Sequence, residues 1–197
     1  PIMQGHSEPD GGQFRELMPG RDGNNVRSPW NVALAYGQPV FIDEMRYWHT
    51  LREEHLPYIY QTAQIAVTES KPMMRPLVYD FREDSKVINL EDEYLFGNSM
   101  LVARLMEEYQ TSRKVYLPEG QWYDFFTNKC YEGEKWIDSD PETKLPVYVK
   151  SGTTIQMEQD GKNKIFLYGK EGKDSILSDQ KDITWKGKNK TVKGESE

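Results

Sequence analysis

The stretch FIDEMRYWHTLREEHLPYIYQTAQIAVT, residues 41–68, runs almost directly into KPMMRPLVYDF, residues 71–81, and the chain changes character between them. Apolar residues at Phe41, Met45, Trp48, Leu51, Ile59, Ala63 and Ala66 recur mostly at three- and four-residue steps, the period of an amphipathic helix. Asp43 and Glu44 lie in its first turn, where the helix dipole favours carboxylates. Pro57 withdraws one backbone donor and crowds the carbonyl four residues back, so a kink, or two helices meeting at residues 55–57, is expected. Upstream the chain reads as helix and loop, downstream as short strands. A domain boundary is expected at the change, near residue 70.

From Lys71 onward the apolar period shifts towards two. Residues 73–81, 94–96, 100–105, 113–117, 122–126, 131–137, 147–150 and 153–157 are strand-length and rich in β-branched and aromatic side chains. Turn chemistry divides them, as at Pro118-Glu119-Gly120 and Ser151-Gly152. Short strands at this spacing predict an antiparallel sandwich over residues 71–157. The last forty residues differ: GKNK occurs at 161–164 and again at 187–190, and only KIFLYG and DITWKG read as strands. Residues 158–197 therefore read as a Lys/Gly-rich β appendage, either hairpins on the sandwich or the start of a distal β domain.

Upstream of the helix, residues 2–4 read as a short buried strand, followed by His6 and about thirty residues rich in Gly, Pro, Asn and charge. A loop that long inside a compact domain is usually functional or disordered, and its Phe14, Leu17, Trp30 and Tyr36 imply that it packs on something. The chain opens on Pro1 and an apolar stretch with no signal peptide, as if taken from the interior of a larger protein.

Composition narrows the function classes. With 25 Lys and Arg against 32 Asp and Glu, the net charge of −7 argues against nucleic acid or an anionic membrane as partner. No run of about 18 apolar residues offers a membrane-spanning helix. Cys130 is the only cysteine, which excludes an internal disulfide and favours a reducing, cytoplasmic compartment. The 12% of aromatic residues either fill a sandwich core or stack on sugars.

Few residues suggest chemistry. If residues 2–4 belong to a parallel barrel, His6 lies at the C-terminal rim, where a side chain can meet a substrate hydroxyl; otherwise it is a loop histidine satisfied by a carboxylate such as Glu8. His49 and His55 make no metal-ligand spacing, REEH at residues 52–55 is not HExxH, and His55 falls on the apolar stripe as a core histidine. No metal or cofactor site is expected. The carboxylates Asp80, Glu83, Asp84, Glu91, Asp92 and Glu93 sit in turn-like stretches and read as solvated charge rather than as the facing pair a glycosidase needs. GxSxG, P-loop, CxxC and GxGxxG motifs are absent from the sequence.

Seven ordered motifs, PIMQGH, RSPW, LREEHLPYIY, KPMMRPLVYDF, DEYLFGNSMLVA, VYLPEGQWYDFFT and LPVYVKSGTTI, resemble the C-terminal third of glycoside hydrolase family 31, the family of α-glucosidases and α-xylosidases. The resemblance covers roughly residues 1–157. It implies a barrel remnant, the last strand and helix of a (β/α)8 barrel over residues 1–70, followed by an all-β antiparallel sandwich. It also implies retaining hydrolysis of α-linked oligosaccharides by two aspartates carried on earlier barrel strands, outside this segment, and it makes His6 a substrate-binding residue in the subsite of the non-reducing sugar. The segment then lacks a catalytic centre of its own, and its partner is the N-terminal part of the barrel. Three positions depart from the family's usual pattern: Arg104 and Gln156 replace prolines, and a Gly-Gly turn becomes Gly133-Glu134. A non-catalytic carbohydrate-binding or scaffold module is the alternative, with Trp122, Trp136 or Trp185 stacking on glycans.

Overall fold

In the computed structural model the described residues are 29–143, 145–176, 181–186 and 192–193. The barrel strand expected at residues 2–4, His6 and the loop up to residue 28 lie outside them. The chain divides into two compact units, Pro1–Glu54 and His55–Glu197.

Helices α1 (Pro29–Ala35) and α2 (Val40–Glu54) belong to the first unit. The expected loop is therefore interrupted by a helix: PWNVALA places Pro29 at its start, where a missing N–H costs nothing, and Gly37 just past its end. Gly37 is left-handed at φ 64°. Its N–H donates to the Leu34 carbonyl at 3.1 Å, and Gln38 N–H donates to the Ala33 carbonyl at 2.8 Å, the paired bonds of a Schellman cap. Ala33 is buried, whereas no residue of α2 is. Phe41, at the head of the expected apolar stripe, is 54% exposed.

Helix α3 (Leu56–Glu69) opens the second unit. The long helix read from the sequence is thus two helices, and Pro57 falls in the first turn of the second, where its ring is tolerated. The buried face of α3 is Tyr58, Gln61 and Thr62, not the expected Ile59, Ala63 and Ala66. Polar side chains face inward there because each finds a hydrogen-bond partner, leaving Leu56, Tyr60 and Val67 exposed.

Thirteen strands follow among the described residues, every pairing antiparallel. They are β1 (Met74–Pro76), β2 (Glu93–Phe96), β3 (Met100–Ala103), β4 (Lys114–Leu117), β5 (Gln121–Asp124), β6 (Cys130–Glu132) and β7 (Lys135–Asp138). After them come β8 (Val147–Lys150), β9 (Thr154–Gln159), β10 (Lys162–Leu167), β11 (Glu171–Ile176), β12 (Lys181–Lys186) and β13 (Val192–Lys193). The expected strand 73–81 is short because Pro76 ends the pairing and Leu77–Tyr79 forms a 3-10 turn. The expected strand 131–137 is two, split at Gly133-Glu134.

One sheet runs β1-β2-β3-β8-β5-β6, and smaller sheets are β13-β10-β9, β11-β12 and β4-β7. Mostly antiparallel sheets with few helices are consistent with a β-sandwich. Register puts Leu95, Leu101 and Tyr148 side by side on one face of the large sheet. That face meets Val115, Tyr116 and Leu117 of β4 in the main core, with Leu77, Val87 and Trp122. Strand β3 is buried at all four positions, as expected of a strand covered on both faces.

Candidate functional site

A polar cavity of about 300 Å³ in the second unit is lined by α3, the β2–β3 turn and β11. Tyr58 O–H donates to the Phe96 carbonyl at 2.7 Å and accepts from Ser99 N–H at 3.3 Å, so one phenol satisfies both arms of the β2–β3 hairpin. Burial pushes this phenol up to about 12, which keeps it a neutral donor. Gly97 turns the hairpin at φ 63°, and a Cβ there would stand 2.3 Å from the Tyr58 oxygen. Thr62 Oγ1 donates back to the Tyr58 carbonyl at 2.8 Å. At the far side Asp174 accepts from Thr154 N–H and Oγ1 at 2.8 and 2.7 Å, tying β11 to β9. Gln156 donates to Gln61 at 2.7 Å and so links β9 to α3. Apart from the Thr62 bond within α3, these hydrogen bonds hold one element to another. The arrangement is a joint, with no nucleophile poised beside a base.

The carboxylates after β1 are likewise structural. Arg75, buried in β1, donates Nε to Asp80 at 2.7 Å, Nη2 to Asn98 at 3.1 Å and Nη1 to the Pro72 carbonyl at 3.2 Å. Lys71 stands 3.4 Å from the other Asp80 oxygen. Asp84 accepts from Tyr116 O–H at 2.5 Å and from Lys86 N–H at 3.0 Å. Asp92 accepts from Arg113. Glu93 corrects the expectation of solvated charge: it opens β2 on the inner face and is 1% exposed. Among the described residues no group of three His, Cys, Asp or Glu side chains converges as a metal ion would require.

His6, the substrate-binding residue expected from the resemblance, lies outside the described residues. His55 is buried against Phe125, ring centroids 5.2 Å apart, in line with its reading as a core histidine. Trp122 cannot stack on a glycan: it is fully buried and its indole N–H donates to the Pro118 carbonyl at 2.8 Å. Trp136 is 46% exposed and leans on Tyr116, and the Trp185 side chain lies outside the described residues. Sequence reasoning gave no role to Tyr58 or Arg75, although both stand in quoted motifs. An aromatic hydroxyl on a helix face and an Arg followed four residues on by the YD pair were the available signals.

Residues 70–155 match the model of the glycosyl hydrolase family 31 C-terminal domain, and the chain carries that domain. An isomaltosyltransferase of Sporosarcina globispora is 33% identical over 158 residues, covering 80% of this chain and 14% of that protein. An α-glucosidase of Saccharolobus solfataricus is 34% identical over 137 residues, covering 67% of this chain and 19% of that protein. Among solved structures, the cycloalternan-forming enzyme from Listeria monocytogenes in complex with its pentasaccharide substrate is similar with a TM-score of 0.74 and 29% identity, over 84% of this chain and 18% of that one. The chain thus spans about a fifth or less of the length of these relatives.

Proposed function

We propose that this chain is the C-terminal portion of a retaining α-glycosidase of the α-glucosidase kind, hydrolysing O-glycosyl bonds of α-linked oligosaccharides. The observation that carries the reading is the likeness over 67% of the chain to a far longer α-glucosidase. In this reading residues 1–70 are the last strand and helix of the (β/α)8 barrel, residues 71–157 the proximal sandwich and residues 158–197 a β appendage or the start of a distal domain. The exposed apolar side chains support it. Val32, Tyr36, Phe41, Met45 and Trp48 line a groove of about 730 Å³ in the first unit, and α3 separately leaves Tyr60 62% and Val67 83% exposed. Helix faces this apolar are usual where further polypeptide covers them.

The reaction needs two carboxyl groups about 5 Å apart, one attacking the anomeric carbon while the other protonates the leaving oxygen. In this reading both come from the preceding barrel strands. The contribution of this chain is His6, whose imidazole hydrogen-bonds a hydroxyl of the non-reducing sugar, and the sandwich that buttresses the barrel. The test is a longer polypeptide in which this chain is preceded by the roughly 400 residues that a barrel with an N-terminal domain would need. It should hydrolyse an α-glucoside with retention of anomeric configuration by NMR. Its His6→Ala variant should lose roughly tenfold or more in kcat/KM, the scale of one lost hydrogen bond to substrate. Inversion, or an unchanged H6A variant, contradicts the assignment.

A further inference from the structure

Glu93 sits where a carboxylate is hardest to keep charged. Its Oε1 accepts one hydrogen bond, from Tyr116 N–H of β4 at 2.9 Å, and Oε2 has no partner among the described residues. The nearest cation, Arg113, is committed elsewhere. Its Nη2 donates to the Asp92 carboxylate, its Nη1 to the Asp92 and Arg104 carbonyls at 3.2 and 2.7 Å, and its Nε to the Lys114 carbonyl at 3.0 Å. Nη2 stands 3.6 Å from Glu93 Oε1, within an ion pair's reach but beyond a hydrogen bond's. Two carboxylates from adjacent positions, one half-exposed and one fully buried, therefore compete for a single guanidinium.

We propose that Glu93 is a proton-operated latch between the large sheet and the β4–β7 sheet: protonated, it rests in the core on the Tyr116 amide, and ionised, it places a buried charge between the sheets that weakens their contact and competes with Asp92 for Arg113. Tyr148 of β8, whose hydroxyl has no partner among the described residues, is pushed up first by burial and then by Asp124, Tyr131, Glu93 and Asp140. A negative charge on Glu93 meets desolvation and the neighbouring Asp92, opposed by the Tyr116 N–H and Arg113. The net effect raises its carboxyl from 4.5 to about 7. Because the folded value lies above the unfolded one, the folded state holds the proton more tightly. The stabilisation is fully present below about 4.5 and is lost as pH rises through about 7.

The experiment uses the full chain with glutamate δ-carbons labelled by 13C. One carboxyl resonance should titrate near pH 7, apart from the exposed glutamates, and should move to lower pH in Asp92→Asn, where Arg113 is released to Glu93. In urea, the folded-to-unfolded ratio should fall roughly a hundredfold more from pH 5 to pH 8 than it does in Glu93→Gln. Glutamates that all titrate below pH 5.5, or an E93Q slope equal to that of the unsubstituted chain, overturn the latch. Should E93Q not fold, the titration of the unsubstituted chain decides alone.

Discussion

Glu134 holds a left-handed conformation, φ 57°, in the β6–β7 turn. Its neighbour Gly133 cannot be replaced, since a Cβ there would lie 1.9 Å from the Pro118 carbonyl oxygen. Only the Glu134 position is open to improvement. Glu134→Gly should stabilise the chain by about 1 kcal/mol, because relieving a left-handed L-residue outweighs the added freedom of the unfolded chain. Urea denaturation checks this, and a loss of stability would show that the strain is compensated. Arg75 is the opposite case: its side chain is 2% exposed and its guanidinium satisfies Asp80, Asn98 and a carbonyl. Arg75→Ala should cost about 3 kcal/mol, leaving Asp80 with Lys71 alone, and an unchanged denaturation midpoint would remove the network from the account. At this scale the sequence was least legible. Glu93 and Asp92 are adjacent acids of one turn-like stretch, and nothing in their spacing tells that one faces solvent and the other the core. The alternation that sorts them becomes readable only once Leu95 is known to face inward.

Helix α3 is fastened through Tyr58 to the β2–β3 hairpin, which has room for its hydroxyl because Gly97 lacks a side chain. Gly97→Ala should cost about 3 kcal/mol, combining a left-handed alanine with a clash against the phenol. Tyr58→Phe removes the oxygen that the Cβ would meet, so the double variant should cost less than the two single ones together. Strict additivity in urea would mean that the two residues do not act as one contact. Element boundaries were legible where turn chemistry is explicit: Pro118-Glu119-Gly120 and Ser151-Gly152 separate strands as read, and Gly120 and Gly152 carry φ 114° and 83°. They failed where the signal is ambiguous. Residues 73–81 alternate like a strand, yet Pro76 cannot continue a ladder, and the short helix at PWNVALA was hidden in a polar stretch. The inward face of α3 was misassigned because an apolar stripe was the only cue, whereas paired polar side chains cover the sheet and the greasy residues stay outside.

For the whole molecule, the β-rich second unit and the family-31 C-terminal domain were both legible, because ordered motifs with turn residues at fixed places survive at about a third identity. The barrel remnant and a role for His6 are readings of the resemblance alone, since a three-residue apolar run carries almost no periodicity. The account's central claim is that chemistry enters from polypeptide this chain does not contain. Turnover of a nitrophenyl α-glucoside by the purified 197-residue chain tests that claim most directly. No release of nitrophenol above a buffer blank is predicted, because in this account the attacking and the proton-donating carboxyl groups both come from the preceding barrel strands. Sustained turnover by the pure chain would contradict it.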